Sequence, residues 1–324
     1  MTAKPDRPLV TAFECMTISC PEPGILIDML VKGMGWEILA DVSPGGDMEQ
    51  AWGIATGSAG PRAVVVRSVG ANRGMIRVVS GVERPRAKAK AARWAGAEIL
   101  VTRDIDEVYD RLVAFPDFRS MGEPENVDFS EFASNVHRYF HGFVPGGTHL
   151  TLTMAVTQPE GRDFPQSDNQ VGHIFEVPLS SGTYEATTAF YCDVLGLETI
   201  LTSFHEKGAI HKAWGLPDST PYHLDIHKGY SEGTGLGGVE VHGCPAEFID
   251  PEPADPAHFD GGACMATYVS DDIDAAYNAV AASADAVVLS KPLTIEAAPY
   301  NGMSAFVFLG PGGERVEVCE KYWA

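Results

Sequence analysis

Short apolar runs in this chain repeatedly end in acidic residues that open amphipathic stretches. Ala266–Val269 is followed by Ser270-Asp271-Asp272-Ile273-Asp274-Ala275-Ala276-Tyr277-Asn278-Ala279-Val280. Ile99–Val101 is followed by the matching Thr102-Arg103-Asp104-Ile105-Asp106-Glu107-Val108-Tyr109-Asp110-Arg111-Leu112. Each reads as a strand, an acidic N-cap and a helix. Pro145-Gly146-Gly147 and Pro311-Gly312-Gly313 each precede an alternating segment, which predicts a hairpin entering a strand. Thr183–Leu195 is apolar at Ala186, Ala189, Phe190, Val194 and Leu195, near helical spacing. Gly196 stands where a helix end favours positive φ. The segments Thr199–Phe204, Tyr222–His227 and Gly238–His242 follow as strands. In the first half the pattern gives a strand over Ala12–Ser19 and a helix over Gly24–Val31, ended by Gly33 and Gly35. Strands are expected at Trp52–Thr56, Ala63–Arg67 and Met75–Val79.

The period is therefore strand, helix and three strands, four times over. It predicts an α+β fold of four βαβββ modules in two domains, each a cupped mixed β-sheet flanked by helices. Thr157–Asp168 is rich in turn formers and lacks periodicity. It suggests a linker at 157–169 between a degenerate domain over 1–156 and a site-bearing domain over 170–324.

Charge sharpens this division. The 324 residues carry a net charge of −21. Residues 1–160 hold 16 Lys+Arg against 20 Asp+Glu, and the remainder holds 7 against 24. Seven of the ten histidines also lie in that acidic half. Phosphates would be repelled, so neither nucleic acid nor an anionic membrane is an expected partner. No apolar run is long enough to span a bilayer, and the first residues lack a signal core, so a cytoplasmic protein is expected. The six cysteines form no CxxC pair and read as reduced thiols. The basic stretch Glu83–Arg93 reads as an exposed or subunit-facing helix, with an anion site as the alternative.

The segment Ala189-Phe190-Tyr191-Cys192-Asp193-Val194-Leu195-Gly196-Leu197-Glu198 and the terminal Gly310-Pro311-Gly312-Gly313-Glu314-Arg315-Val316-Glu317-Val318 resemble the vicinal oxygen chelate superfamily. Glyoxalase I, methylmalonyl-CoA epimerase, extradiol dioxygenases and the fosfomycin- and bleomycin-resistance proteins belong to it. The resemblance is literal over about 170–322 and topological over about 9–155. It implies paired modules around one site, with metal ligands on the first and last strands of each. Carried onto this chain, those positions fall at His173, Glu240 and Glu317, with Cys264 where the family usually has His. The first-half equivalents, Glu14 or Cys15, Arg77, Gly96 and Thr151, imply a metal-free first half.

Cys264 has three readings: a thiolate ligand completing a zinc-like set, a marker of an open coordination position, or a small buried residue. His242 shares a face with Glu240 by alternation. It is a candidate ligand, ligand-orienting group or catalytic base, or else an exposed strand-end residue. His223 alternates with Asp225 and His227 on one strand face and is a second candidate acid or base. Tyr300, after Pro299, could offer its hydroxyl to a bound oxyanion.

The implied function is metal-dependent chelation of a small oxygenated substrate through an enolate-like intermediate, of isomerase, epimerase or lyase type. The divalent metal would be Zn, Fe, Mn, Ni or Co. An extradiol-type ring-cleaving dioxygenase and a metal-free binding or resistance protein are the alternatives. A small molecule is the expected partner, and homo-oligomerisation is left open.

Overall fold

A computed structural model describes residues 5, 8–81, 93–128, 136–158, 164–206, 211, 216–229, 238–245, 247, 256–321 and 323. The basic helix expected at Glu83–Arg93 therefore lies, Arg93 apart, outside the described residues.

The first module runs β1 (Ala12–Cys20), α1 (Pro23–Asp28), β2 (Glu37–Val42), α2 (Gly46–Ala51), β3 (Ala63–Arg67) and β4 (Met75–Ser80). The second holds β5 (Gly96–Val101), α3 (Ile105–Val113), the short β6 (Arg119–Ser120) and β7 (Glu125–Asp128), then β8 (Val136–Val144) and β9 (Thr148–Ala155). The third holds β10 (Val171–Ser181), α4 (Tyr184–Ala189), β11 (Glu198–His205), β12 (Tyr222–Lys228) and β13 (Gly238–Gly243). The fourth holds β14 (Gly262–Val269), α5 (Ile273–Ala282), β15 (Val287–Val288), β16 (Leu293–Ile295), β17 (Met303–Leu309) and β18 (Arg315–Cys319).

The repeated acidic caps form as the pattern predicts. Asp104 accepts from Glu107 N at 3.1 Å, and Asp272 from Ala275 N at 3.0 Å. Both α1 and α4 continue into a π turn, Met29–Gly33 and Phe190–Val194. Each is closed by a glycine at positive φ, Gly35 and Gly196. One predicted strand fails. Trp52–Thr56 instead leaves α2 through a turn with Gly53 at φ 66°. Its alternation arises because the Trp52 indole turns inward to the core.

The modules do not pair as the sequence suggests. One sheet runs β15-β17-β18-β14-β1-β4-β3-β2, with β16 beside β17. The other runs β11-β12-β13-β10-β5-β9-β8-β6, with β7 beside β8. The first module thus shares a sheet with the fourth, and the second with the third. This corrects the division into 1–156 and 170–324. The joining pairs are long and antiparallel, β1 with β14 and β5 with β10. Pairing across the halves satisfies the backbone groups that each module leaves at its first strand.

One apolar core joins a face of each sheet and the helices. It includes Met16, Ile18, Ile76 and Val318 of the first sheet and Ile99, Leu152, Val177 and Val241 of the second. The opposite face of the first sheet is filled by Trp52, Met265, Tyr300, Trp323 and their neighbours. The corresponding face of the second sheet carries only small apolar clusters. Its strands leave room there for polar groups. None of the described helices is long and apolar enough to cross a membrane.

Candidate functional site

The open face of the second sheet brings three carboxylates together. Glu98 on β5 is register partner to Glu176 on β10 and to Thr151 on β9. Glu240 on β13 pairs with Pro178, two residues along β10 from Glu176. One carboxylate oxygen from each of Glu98, Glu176 and Glu240 lies within 4.8 Å of the others. Glu176 is 7% exposed and Glu240 is 8% exposed. Three neighbouring carboxylates repel one another and are poorly hydrated when buried, so the cluster favours a cation.

His242 lies two residues beyond Glu240 and shares its face. Its Nε2 is 2.8 Å from Glu240 Oε2, an ion-pair distance without hydrogen-bond geometry. The Tyr222 hydroxyl is hydrogen-bonded to His242 Nδ1. With Tyr222 donating, the imidazole proton sits on Nε2 and faces the carboxylates. Beyond Glu98, the neighbouring strands present Tyr139, His141, His149 and Thr151. His141 Nδ1 is 2.9 Å from Thr151 Oγ1, and the His141 and His149 rings stack at 5.0 Å. Burial pushes the Tyr139 phenol above its ordinary range, and the charges of Glu125 and Glu98 push it the same way.

The expected quartet of His173, Glu240, Glu317 and Cys264 does not converge. Glu240 and His173 are on the second sheet, whereas Glu317 and Cys264 are on the first. His173 precedes Glu176 by three residues and packs its Cβ against Gly74. Burial, aided by the Arg73 charge, lowers its imidazole to about 4. The Cys264 thiol is buried and donates to Thr17 O at 3.5 Å. Burial pushes it up to about 12, so it is the small buried residue among its three readings.

Glu317 has another partner. Arg77 on β4 extends into the centre of the first sheet's filled face and donates to Glu317 Oε2 at 3.0 Å. The same guanidinium donates to Thr17 Oγ1 at 2.9 and 2.8 Å and to the Tyr300 hydroxyl at 2.5 Å. Burial alone would lower the Arg77 guanidinium, but Glu317 and Tyr300 hold it above its ordinary value. Tyr300 donates to Glu317 Oε1 at 2.5 Å. It is wholly buried in this network and does not face the carboxylate cluster. A fixed cation thus occupies the middle of the first sheet, while three carboxylates surround the middle of the second.

His223 is also displaced from its expected place. Register pairs Leu224 with His242 and Ile226 with Glu240, so His223, Asp225 and His227 point to the other face. His223 stacks on Tyr184 of α4 at 4.8 Å.

Glu98 and Glu176 were missed by the sequence reading, which assigned the first strand of the second module to Gly96 and of the third to His173. A signal was present. Each is a lone carboxylate in an otherwise apolar strand, Gly96-Ala97-Glu98-Ile99-Leu100-Val101 and Ile174-Phe175-Glu176-Val177.

Residues 170–318 match the model of the Glyoxalase/Bleomycin resistance protein/Dioxygenase superfamily. Among solved structures, glyoxalase I from Zea mays is 12% identical at a TM-score of 0.62, covering 97% of this chain and 92% of its own. The Mn(II)-bound glyoxalase from Novosphingobium aromaticivorans is 12% identical at a TM-score of 0.33, covering 97% of this chain and 84% of its own. The likeness in fold rests on the first of these. Among curated proteins the sequence finds no match.

Proposed function

We propose, from the match of residues 170–318 to the Glyoxalase/Bleomycin resistance protein/Dioxygenase superfamily, that the chain is a metal-dependent vicinal oxygen chelate enzyme of isomerase, epimerase or lyase type acting on a small oxygenated molecule. The convergence of Glu98, Glu176 and Glu240 carries this reading. Glu240 Oε2 is buried and without a hydrogen bond. The donor set is all oxygen, which suits a hard divalent ion, and of the expected metals Mn(II) fits it best. Glu98, Glu176 and Glu240 would hold the ion. When bound, it supplies Lewis-acid stabilisation of an oxyanion developing on the substrate.

The chain's own residues do the rest. Glu98, Glu176 and Glu240 come from three adjacent strands, so the sheet fixes their spacing before any ligand arrives. His242 is the proton-moving group. Tyr222, donating to Nδ1, fixes its ring and tautomer, so Nε2–H is the proton it delivers toward the site. Glu240 stabilises the imidazolium form that results when Nδ1 is protonated from the Tyr222 side. The apolar wall of Leu201, Leu216, Leu224 and Ile226 excludes water on that side. Thr151 stands beside Glu98 in register and offers a hydroxyl to the same space.

The extradiol alternative needs a 2-His-1-carboxylate face. Three carboxylates with an imidazole at their edge weigh against it. A metal-free binder would gain nothing from three clustered acids, two of them buried, so that reading is weaker still.

The test is solvent-deuterium exchange into the carbon acids of a panel of α-oxo and α-hydroxy carboxylic and thioester compounds, followed by proton NMR with Mn(II). Exchange that needs both the metal and His242 supports the proposal. Oxygen uptake with catechols and no exchange would replace it with the dioxygenase reading.

A further inference from the structure

The helix-covered face of β12 carries a second chemical cluster that the carboxylate site does not use. Cys192 lies in the π turn after α4, opposite the β11–β12 edge. Its Sγ is 3.5 Å from His227 Nδ1 and 3.3 Å from Thr199 Oγ1. Thr199 is the register partner of His227, and its hydroxyl lies 3.0 Å from the same Nδ1. On the far side of the ring, His227 Nε2 is 4.0 Å from Asp225 Oδ2. Thr188 donates to that Oδ2 at 3.1 Å. The groups therefore run thiol, imidazole, carboxylate.

Asp225 lies on the Nε2 side, which favours the tautomer with the hydrogen on Nε2; Nδ1 then accepts from Thr199 and Cys192. Burial holds the His227 imidazole near 4, with the Asp225 charge opposing this. The ring is therefore neutral at pH 7 and its Nδ1 lone pair is available to a proton. His227 Nε2 and Asp225 Oδ1 are buried without hydrogen bonds, so neither the imidazole nor the carboxylate is saturated by structural partners. Access is selective. Of the six cysteines, Cys192 alone is not buried. Burial pushes the thiols of Cys20 and Cys264 up to about 12, and those of Cys15 and Cys319 higher.

We propose that Cys192 is a reactive thiol, with His227 as its base and Asp225 orienting the base, that forms mixed disulfides with small disulfides. The thiol proton passes to His227 Nδ1 as sulfur attacks one sulfur of the incoming disulfide. A new S–S bond forms, the old one breaks, and the departing thiolate takes up the proton that His227 releases, directly or through solvent, so the ring is neutral again. The protein thiol is oxidised and half of the small disulfide is reduced. The net charge of −21 favours a cationic disulfide in the encounter.

The probe is cystamine at pH 7, read by intact mass and peptide mapping of the full chain. One adduct should form, on Cys192, and Cys192→Ser should abolish it. His227→Ala should slow adduct formation about tenfold or more, and added imidazole should restore part of the rate, which a purely structural role for the ring would not permit. Thr199→Val leaves Nδ1 to the thiol alone and should keep or raise the rate. It also serves if His227→Ala does not fold. First modification at another cysteine overturns the proposal. So does a His227→Ala rate equal to the native rate, or a slower Thr199→Val.

Discussion

Arg77 places its guanidinium 3.0 Å from Glu317 Oε2 with both side chains essentially sealed from solvent, at 1% and 0% exposed. Trp52 and Trp323 flank the guanidinium at 4.6 and 5.1 Å. The first sheet therefore carries its own cation, attached to the chain. The second sheet presents carboxylates at the comparable place and, among the described residues, no such arginine.

Removing that cation should be costly. Arg77→Leu leaves Glu317 buried and unpaired, and breaking a buried pair costs about 3–5 kcal/mol. Denaturant melts should show that loss. Adding Glu317→Gln should recover part of it, because the uncompensated charge is then gone. Equal stability of Arg77→Leu and wild type would contradict this account.

The carboxylate cluster predicts a linked metal effect. Mn(II) at about a hundred times its Kd should stabilise the native chain by about 2.7 kcal/mol. Glu240→Gln or Glu176→Gln should weaken Mn(II) at least tenfold, read by isothermal titration. Without metal, either change should raise the melting temperature, because it relieves carboxylate repulsion. Neither effect is expected from Glu317→Gln or Cys264→Ser.

His242 and Tyr222 should separate chemistry from binding. His242→Gln should lower turnover by about 10²–10⁴, the usual contribution of a positioned acid or base. Its Mn(II) affinity should change far less. Tyr222→Phe keeps the ring and loses the hydroxyl, so a smaller drop in kcat is expected. His223→Gln should leave kcat unchanged, since it lies on the opposite face.

Glu314 gives a pH dependence with a defined sign. It is wholly buried in the turn between β17 and β18, and burial pushes its carboxyl up to about 7 from 4.5. The folded state then binds a proton that the unfolded state has released. Its stabilising contribution is complete below about 4.5 and is lost as pH rises to about 7, by on the order of 3 kcal/mol. Glu14, raised to about 8, acts in the same direction. His137, held near 4 by burial, acts the other way and removes stability as pH falls below about 6.5. Glu314→Gln should make the loss of stability between 4.5 and 7 less steep, the Glu14 part remaining, while leaving the acid limb caused by the histidine. Melts across that range at fixed ionic strength check it.

The elements were legible because their causes are local. The acidic caps of α3 and α5, the Pro-Gly-Gly hairpins and the glycines that close the π turns each act within a few residues. Trp52 misled because its inward turn depends on Arg77 in a distant strand. Glu240 and His242 were legible as a pair, since alternation alone puts them on one face. Choosing that face over the one bearing His223 required the helix layer, which buries Asp225 and His227 and stacks Tyr184 of α4 on His223.

The sequence by itself determined the four strand–helix–strand modules and the shared face of Glu240 and His242, because periodicity, caps and turn chemistry are properties of neighbouring residues. Only the tertiary structure decided which modules share a sheet. It paired first with fourth and second with third, and so parted Glu240 from Glu317 and joined Glu240 to Glu98. Any of the four modules offers similar unpaired strand edges, and no local pattern records which edge meets which. That choice depends on the fit of whole strands and on the common apolar core, where residues more than two hundred positions apart meet.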